Sequence, residues 1–248
     1  MLRSLKPLLG YKVEATDGDI GKVEDFFFDD ETWTIRYAVV DTGPLFTGRK
    51  VLISTAALDH PDWETHKFPV GLNREQVKNS PDIDVDLPVS RKHEEQLHKY
   101  YGWDPYWPTT MYGMNPPIIP PPPQEPEREI EGKRKVEEET HLRSAREVTG
   151  YHIHAADGEM GHVEDFIAED DTWILRYLVV DTRNWLPGRK VLVSVQWATR
   201  VSWDERLLYT DLDRETIKKS PEYDPTAPVN RDYEERLYDY YGRKKYWT

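Results

Sequence analysis

Residues 17–42 read DGDIGKVEDFFFDDETWTIRYAVVDT, and residues 157–182 read DGEMGHVEDFIAEDDTWILRYLVVDT. Both spell one frame: Asp-Gly, a second Gly three residues on, Val-Glu-Asp-Phe, Asp-x-Thr-Trp, Arg-Tyr and Val-Val-Asp-Thr. Within each frame two runs rich in Val, Phe, Ile, Trp and Tyr flank a polar turn. They are 21–28 and 33–41 around 29–32, and 161–168 and 173–181 around 169–172. That pattern specifies a β-hairpin. Asp-Gly is a turn dipeptide, and the Gly inside the following run marks a bulge or a tight backbone approach.

Working outward, a shift of 140 residues aligns 2–107 with 142–247 without a gap, with about 45 % of positions identical. Self-similarity of this kind means one structural unit written twice. The organisation expected is a unit at 1–107, a linker at 108–141 and a second unit at 142–248. In the first unit a weakly alternating strand is expected at 10–15, a further strand at 48–54 (188–194 in the second copy), and two less regular ones at 56–63 and 65–72. Five or six short strands with no long helix among them predict a small barrel, whose closure would protect the strand edges. Asn73 and Gln76 form a capping-box pattern for a short helix, and Asp213 is the matching cap. Ser90 and Asn230 precede a second helix at 91–101 and 231–241, closed by Gly102 and Gly242. His93, Leu97 and Tyr100 fall at helical spacing, which predicts the face that covers the barrel. Tyr106-Trp107 and Tyr246-Trp247 read as aromatic plugs. The fold class is therefore mainly β with short helices: two tandem small β-barrels, each followed by a short helical extension and an aromatic tail.

The linker is compositionally foreign. NPPIIPPPPQ at 115–124 favours polyproline II, and the mixed-charge run after it carries almost nothing apolar, so a semi-rigid spacer is expected.

The residues DG..IG.VED, the Trp/Arg-Tyr-Val-Val-Asp strand and G.(K/R)K.LIS together resemble the PRC-barrel domain. That domain occurs in the cytoplasmic part of the photosynthetic reaction-centre H subunit and at the C-terminus of a ribosome maturation factor. The likeness covers about residues 4–80 and 144–220. It implies a binding or assembly module with no shared catalytic residue. One small fold hosts unrelated roles, so neither specific function transfers.

Composition narrows the function. A net charge of -13 has the wrong sign for a phosphate-binding footprint, which argues against nucleic acid. No apolar run reaches the ~20 residues of a membrane helix, and the first residues lack a signal-peptide core, so a soluble, cytoplasmic chain is expected. With no Cys, disulfides and thiolate metal sites are excluded. Hydrolase, phosphate-loop and dinucleotide motifs are lacking, so no enzyme, cofactor or metal is assigned.

The candidate positions are those that both copies hold. Acidic residues recur at Asp17, Glu24, Asp25, Asp30 and Asp41, and at Asp157, Glu164, Asp165, Asp170 and Asp181. Clustered carboxylates suit a hard cation, but the spacing is not that of an EF-hand and turn chemistry accounts for Asp17. Arg36, Arg49 and Lys50 recur as Arg176, Arg189 and Lys190, as anion or partner contacts or as ion pairs that fix strand register. His152 and His154 share a strand face, without an evident third ligand. The leading reading is a non-catalytic interaction or assembly module, its two barrels packed as an internal pseudo-dimer. The alternatives are a peripheral component of photosynthetic or electron-transfer machinery, with membrane association at the surface, and a metal- or ligand-binding protein that uses the acidic positions. The protein partner is not identified by the sequence.

Overall fold

The computed structural model of the chain describes residues 1–43, 48–81, 89–107, 141–182 and 189–248. The expected polyproline and charged spacer falls at 108–140, outside the described residues. In the first copy the strands are β1 (Leu2–Ser4), β2 (Lys12–Ala15), β3 (Gly18–Asp29), β4 (Thr34–Asp41), β5 (Lys50–Ser54) and β6 (Lys67–Pro69), followed by α1 (Arg74–Lys78) and α2 (Arg91–Tyr101). The second copy runs β7 (Leu142–Ser144), α3 (Ala145–Val148), β8 (His152–Ala155), β9 (Gly158–Glu169), β10 (Leu175–Asp181), β11 (Lys190–Ser194), β12 (Ala198–Ser202), β13 (Leu207–Thr210), α4 (Arg214–Lys219) and α5 (Arg231–Tyr241).

One sheet has the order β5-β4-β3-β2-β6 and the other β11-β10-β9-β8-β13-β12. The architecture is mainly β and barrel-like, but the expected closure is not seen among the described residues: β5 and β6 stay unpaired with each other, as do β11 and β12. In the first sheet β6 is three residues long and ends on Pro69, which has no N–H to extend a ladder. Of the two irregular strands expected at 56–72, the first copy keeps this short β6 and isolated bridges, Leu58↔Val70 and Asp62↔Lys67. The second copy forms a β12–β13 hairpin there.

The long strands β3 and β9 organise each sheet. Each bends enough to pair with two strands along the same side: β3 with β2 at its start and β7 at its end, β9 with β8 and then β1. The Gly inside the frame permits the tight pass. A Cβ on Gly21 would lie 2.1 Å from the Asp41 carbonyl oxygen, and one on Gly161 2.1 Å from that of Asp181. Register shifts follow at Val23/Asp25 and at Val179/Val180, where the extra residue of a bulge sharpens the twist.

β4 shows why its sequence is apolar on both faces. Ile35, Ala38 and Val40 enter the barrel core, whereas Tyr37 and Val39 lie outside it with Leu52, Val89 and Leu97, beneath α2. The capping box of α1 forms, with Gln76 N–H on Asn73 Oδ1 at 2.8 Å and Asn73 N–H on Gln76 Oε1 at 2.9 Å. Gly102 and Gly242 close α2 and α5 in the left-handed region. The covering face differs from the one expected. Glu94, Leu97 and His98 are buried, while Tyr100 is exposed. Glu94 faces inward, where the Tyr37 and Tyr106 hydroxyls donate to its carboxylate.

Candidate functional site: the junction of the two copies

The two copies exchange their first strands. β1 pairs antiparallel with β9 of the second copy, Leu2 opposite Glu169 and Ser4 opposite Ile167. β7 pairs reciprocally with β3, Leu142 opposite Asp29 and Ser144 opposite Phe27. Under the 140-residue shift these are one contact made twice. Hairpin tips cross as well: Ile35 N–H donates to the Trp173 carbonyl and Leu175 N–H to that of Trp33, both at 2.8 Å. Trp173, from the second copy, stacks against Phe26 and Phe68 of the first at 6.2 and 5.8 Å between ring centroids. Trp33 stacks on Phe28, which in turn meets Phe166. A single hydrophobic cluster results, with residues from both copies.

Four predicted site residues gather at this junction. Asp25 accepts from the Ser144 hydroxyl at 2.5 Å, from Arg146 N–H at 2.9 Å and from Phe26 N–H at 2.7 Å. Asp165 accepts from the Ser4 hydroxyl, from Lys6 N–H at 3.1 Å and from Phe166 N–H at 2.7 Å. Burial pushes both carboxyl pKa values up, and these donors offset that only in part. Glu24 binds Lys50 at 3.2 Å and Arg146 of the other copy at 2.8 Å. Glu164 binds Lys190 at 2.7 Å and Lys6 at 3.3 Å; burial opposes its charge, but the two ammonium groups hold its pKa below the ordinary value. Between the exchanged segments lies a cavity of about 310 Å³, with Leu5, Phe26, Ala145 and Phe166 on its apolar side and Asp25 and Asp165 at its wall.

The other predicted residues lie elsewhere. Asp17 and Asp157 accept from the first N–H groups of α1 and α4, those of Arg74 and Arg214, at 2.8 Å each. Asp41 accepts from Gly43 N–H at 2.8 Å, and Asp181 is buried at the matching place. Arg49 makes no ion pair among the described residues. Its guanidinium caps the end of α1, donating to the carbonyls of Val77, Lys78 and Ser80 at 2.8 to 3.1 Å. Arg189 donates likewise to Ser220 O at 2.5 Å. Arg176 pairs with Glu169 at 2.7 Å and Arg36 lies 3.9 Å from Asp29, and each stacks over a tail tyrosine, Tyr246 and Tyr106. Among the described residues no group of three or more His, Asp or Glu side chains is placed to hold a metal ion. No helix among them is long and apolar enough to cross a membrane.

Sequence reasoning missed Ser4, Ser144 and the exchanged strands. Their signal was the identical Leu-Arg-Ser at the start of both aligned copies, before any recognisable strand pattern. It also missed Glu94 and Glu234, which recur three residues after Arg91 and Arg231.

A sequence model of the PRC-barrel domain matches residues 3–67, within the first copy. No curated protein matches the chain. The frame that opens each copy thus has a family assignment in the first, and residues 3–67 of this chain are a PRC-barrel domain.

Proposed function

We propose that the chain is a non-catalytic protein-interaction and assembly module, in which two PRC-type barrels, at 1–107 and 142–248, are locked as an intramolecular pseudo-dimer. The observation that carries this reading is the reciprocal exchange of β1 and β7. It spends the shared acidic and basic residues on holding the copies together, since Glu24, Asp25, Glu164 and Asp165 each bind a group of the other copy. What faces outward is a body with two related flanks, suited to a protein partner that meets one or both. A cysteine-free chain suits a reducing compartment, and we place the module in the cytoplasm.

The test is affinity capture with cross-linking from native lysate, comparing the wild type with the Asp25→Ala/Asp165→Ala double variant. A protein partner held by the wild type and lost with the variant supports the reading. Failure to recover any protein from soluble or membrane fractions overturns it.

A further inference from the structure

The buried residues of the two helices differ at one position: His98 of α2 stands where α5 has Tyr238. The His98 ring lies among Trp103, Tyr106 and Trp107, with centroids 5.8, 6.1 and 4.7 Å away, and is 5 % exposed. Its Nε2 is 2.8 Å from the Tyr37 hydroxyl, which donates onward to Glu94 at 3.1 Å. With that proton committed to Glu94, Nε2 donates to Tyr37, and the neutral imidazole completes the chain. Glu94 is already supplied by Tyr106 at 2.5 Å and by Arg91 at 2.8 Å. A second proton on His98 would therefore place a cation in an aromatic enclosure close to the Arg91 guanidinium, itself 4.4 Å over Trp107.

We propose that His98 makes the docking of α2 and its Tyr106–Trp107 tail labile to acid, and that the second copy, with Tyr238, lacks this device. Release would uncover Tyr37, Val39 and Leu52 on one flank only. The direction follows from the groups that face the ring. Burial and Arg91 disfavour the imidazolium, and the backbone of Trp103 and Asp104 favours it less, so the His98 pKa is lowered. Its contribution to docking is complete above about 6.5, the unperturbed histidine value, and is lost as pH falls below that. Glu94, which burial holds above its ordinary range, titrates in the opposite sense and favours docking when protonated. Tyr37 and Tyr106 stay neutral throughout.

Hydrogen exchange on the intact chain at pH 7 and pH 5, corrected for the intrinsic rate, reads this directly. Opening of α2 relative to α5 should rise on acidification, by at most about tenfold per pH unit below ~6.5, the limit for one unmatched proton. His98→Tyr should abolish the rise, separating it from Glu94, and Tyr238→His should transfer it to α5. His98→Phe gives a second, non-titrating check. Equal responses of α2 and α5, an acid response that survives in His98→Tyr, or parallel loss of protection in β3 and β9 would overturn the proposal.

Discussion

Ser144 donates its hydroxyl to Asp25 across the junction, 2.5 Å from Oγ to Oδ2, and Arg146 N–H shares the same carboxylate at 2.9 Å. One side chain thus secures both the exchanged strand and the turn that follows it. Asp25→Ala would leave one buried and two part-buried donors without their acceptor and should destabilise the chain by about 2–3 kcal/mol, measured by denaturant unfolding. Asp25→Asn, which keeps an acceptor, should cost less. Because burial raises the Asp25 pKa, the folded state holds its proton more tightly than the unfolded one. This group's contribution is full below the ordinary carboxylate value and falls as pH rises through the raised one; Asp25→Asn should remove that part of the pH dependence.

Gly21 admits no side chain. Its Cβ would overlap the Asp41 carbonyl at 2.1 Å, a backbone atom held by the β3–β4 ladder. Gly21→Ala should cost on the order of 3 kcal/mol by thermal or chemical unfolding, and Gly161→Ala a similar amount. A substitution that left stability unchanged would mean that β3 does not pass β4 so closely.

Arg49 acts on carbonyl oxygens and not on a carboxylate. Arg49→Ala should destabilise by about 1–2 kcal/mol, and Lys should fail to rescue it because one ammonium cannot span that fork of acceptors. The loss should persist at high salt, whereas an exposed ion pair would be screened. Unfolding curves at low and high ionic strength distinguish the two.

Trp173 fills the core of the copy to which it does not belong. Trp173→Ala should cost about 3–5 kcal/mol, and both copies should still melt together. Calorimetry should show one transition with equal van't Hoff and calorimetric enthalpies; two separate transitions would count against a common core.

The hairpin frame, the gapless repeat, the α1 capping box and the glycine stops of α2 and α5 were legible because each depends on local chemistry. A Gly where a chain turns, or Asn three residues before Gln, carries its meaning within a few positions. The exchange was not legible. Leu2–Ser4 is three residues long, too short for periodicity, and its partner Ile167–Glu169 is more than 160 positions away. Glu94 illustrates the same limit. A carboxylate on a helix reads as solvent-facing until Tyr37 and Tyr106, 57 residues before it and 12 after it, are brought to its oxygens. Arg49 and Arg36 are legible in the sequence as repeated cations, but their acceptors and ring partners are set by tertiary packing.

Because each copy supplies the strand that finishes the other's sheet, the repeat cannot be divided without leaving two raw edges. A fragment holding either copy alone would present the Phe27–Asp29 or Ile167–Glu169 backbone to any passing chain, and its easiest remedy is another molecule of the same fragment. Truncation at the linker should therefore yield self-paired or aggregating species in place of a smaller working unit.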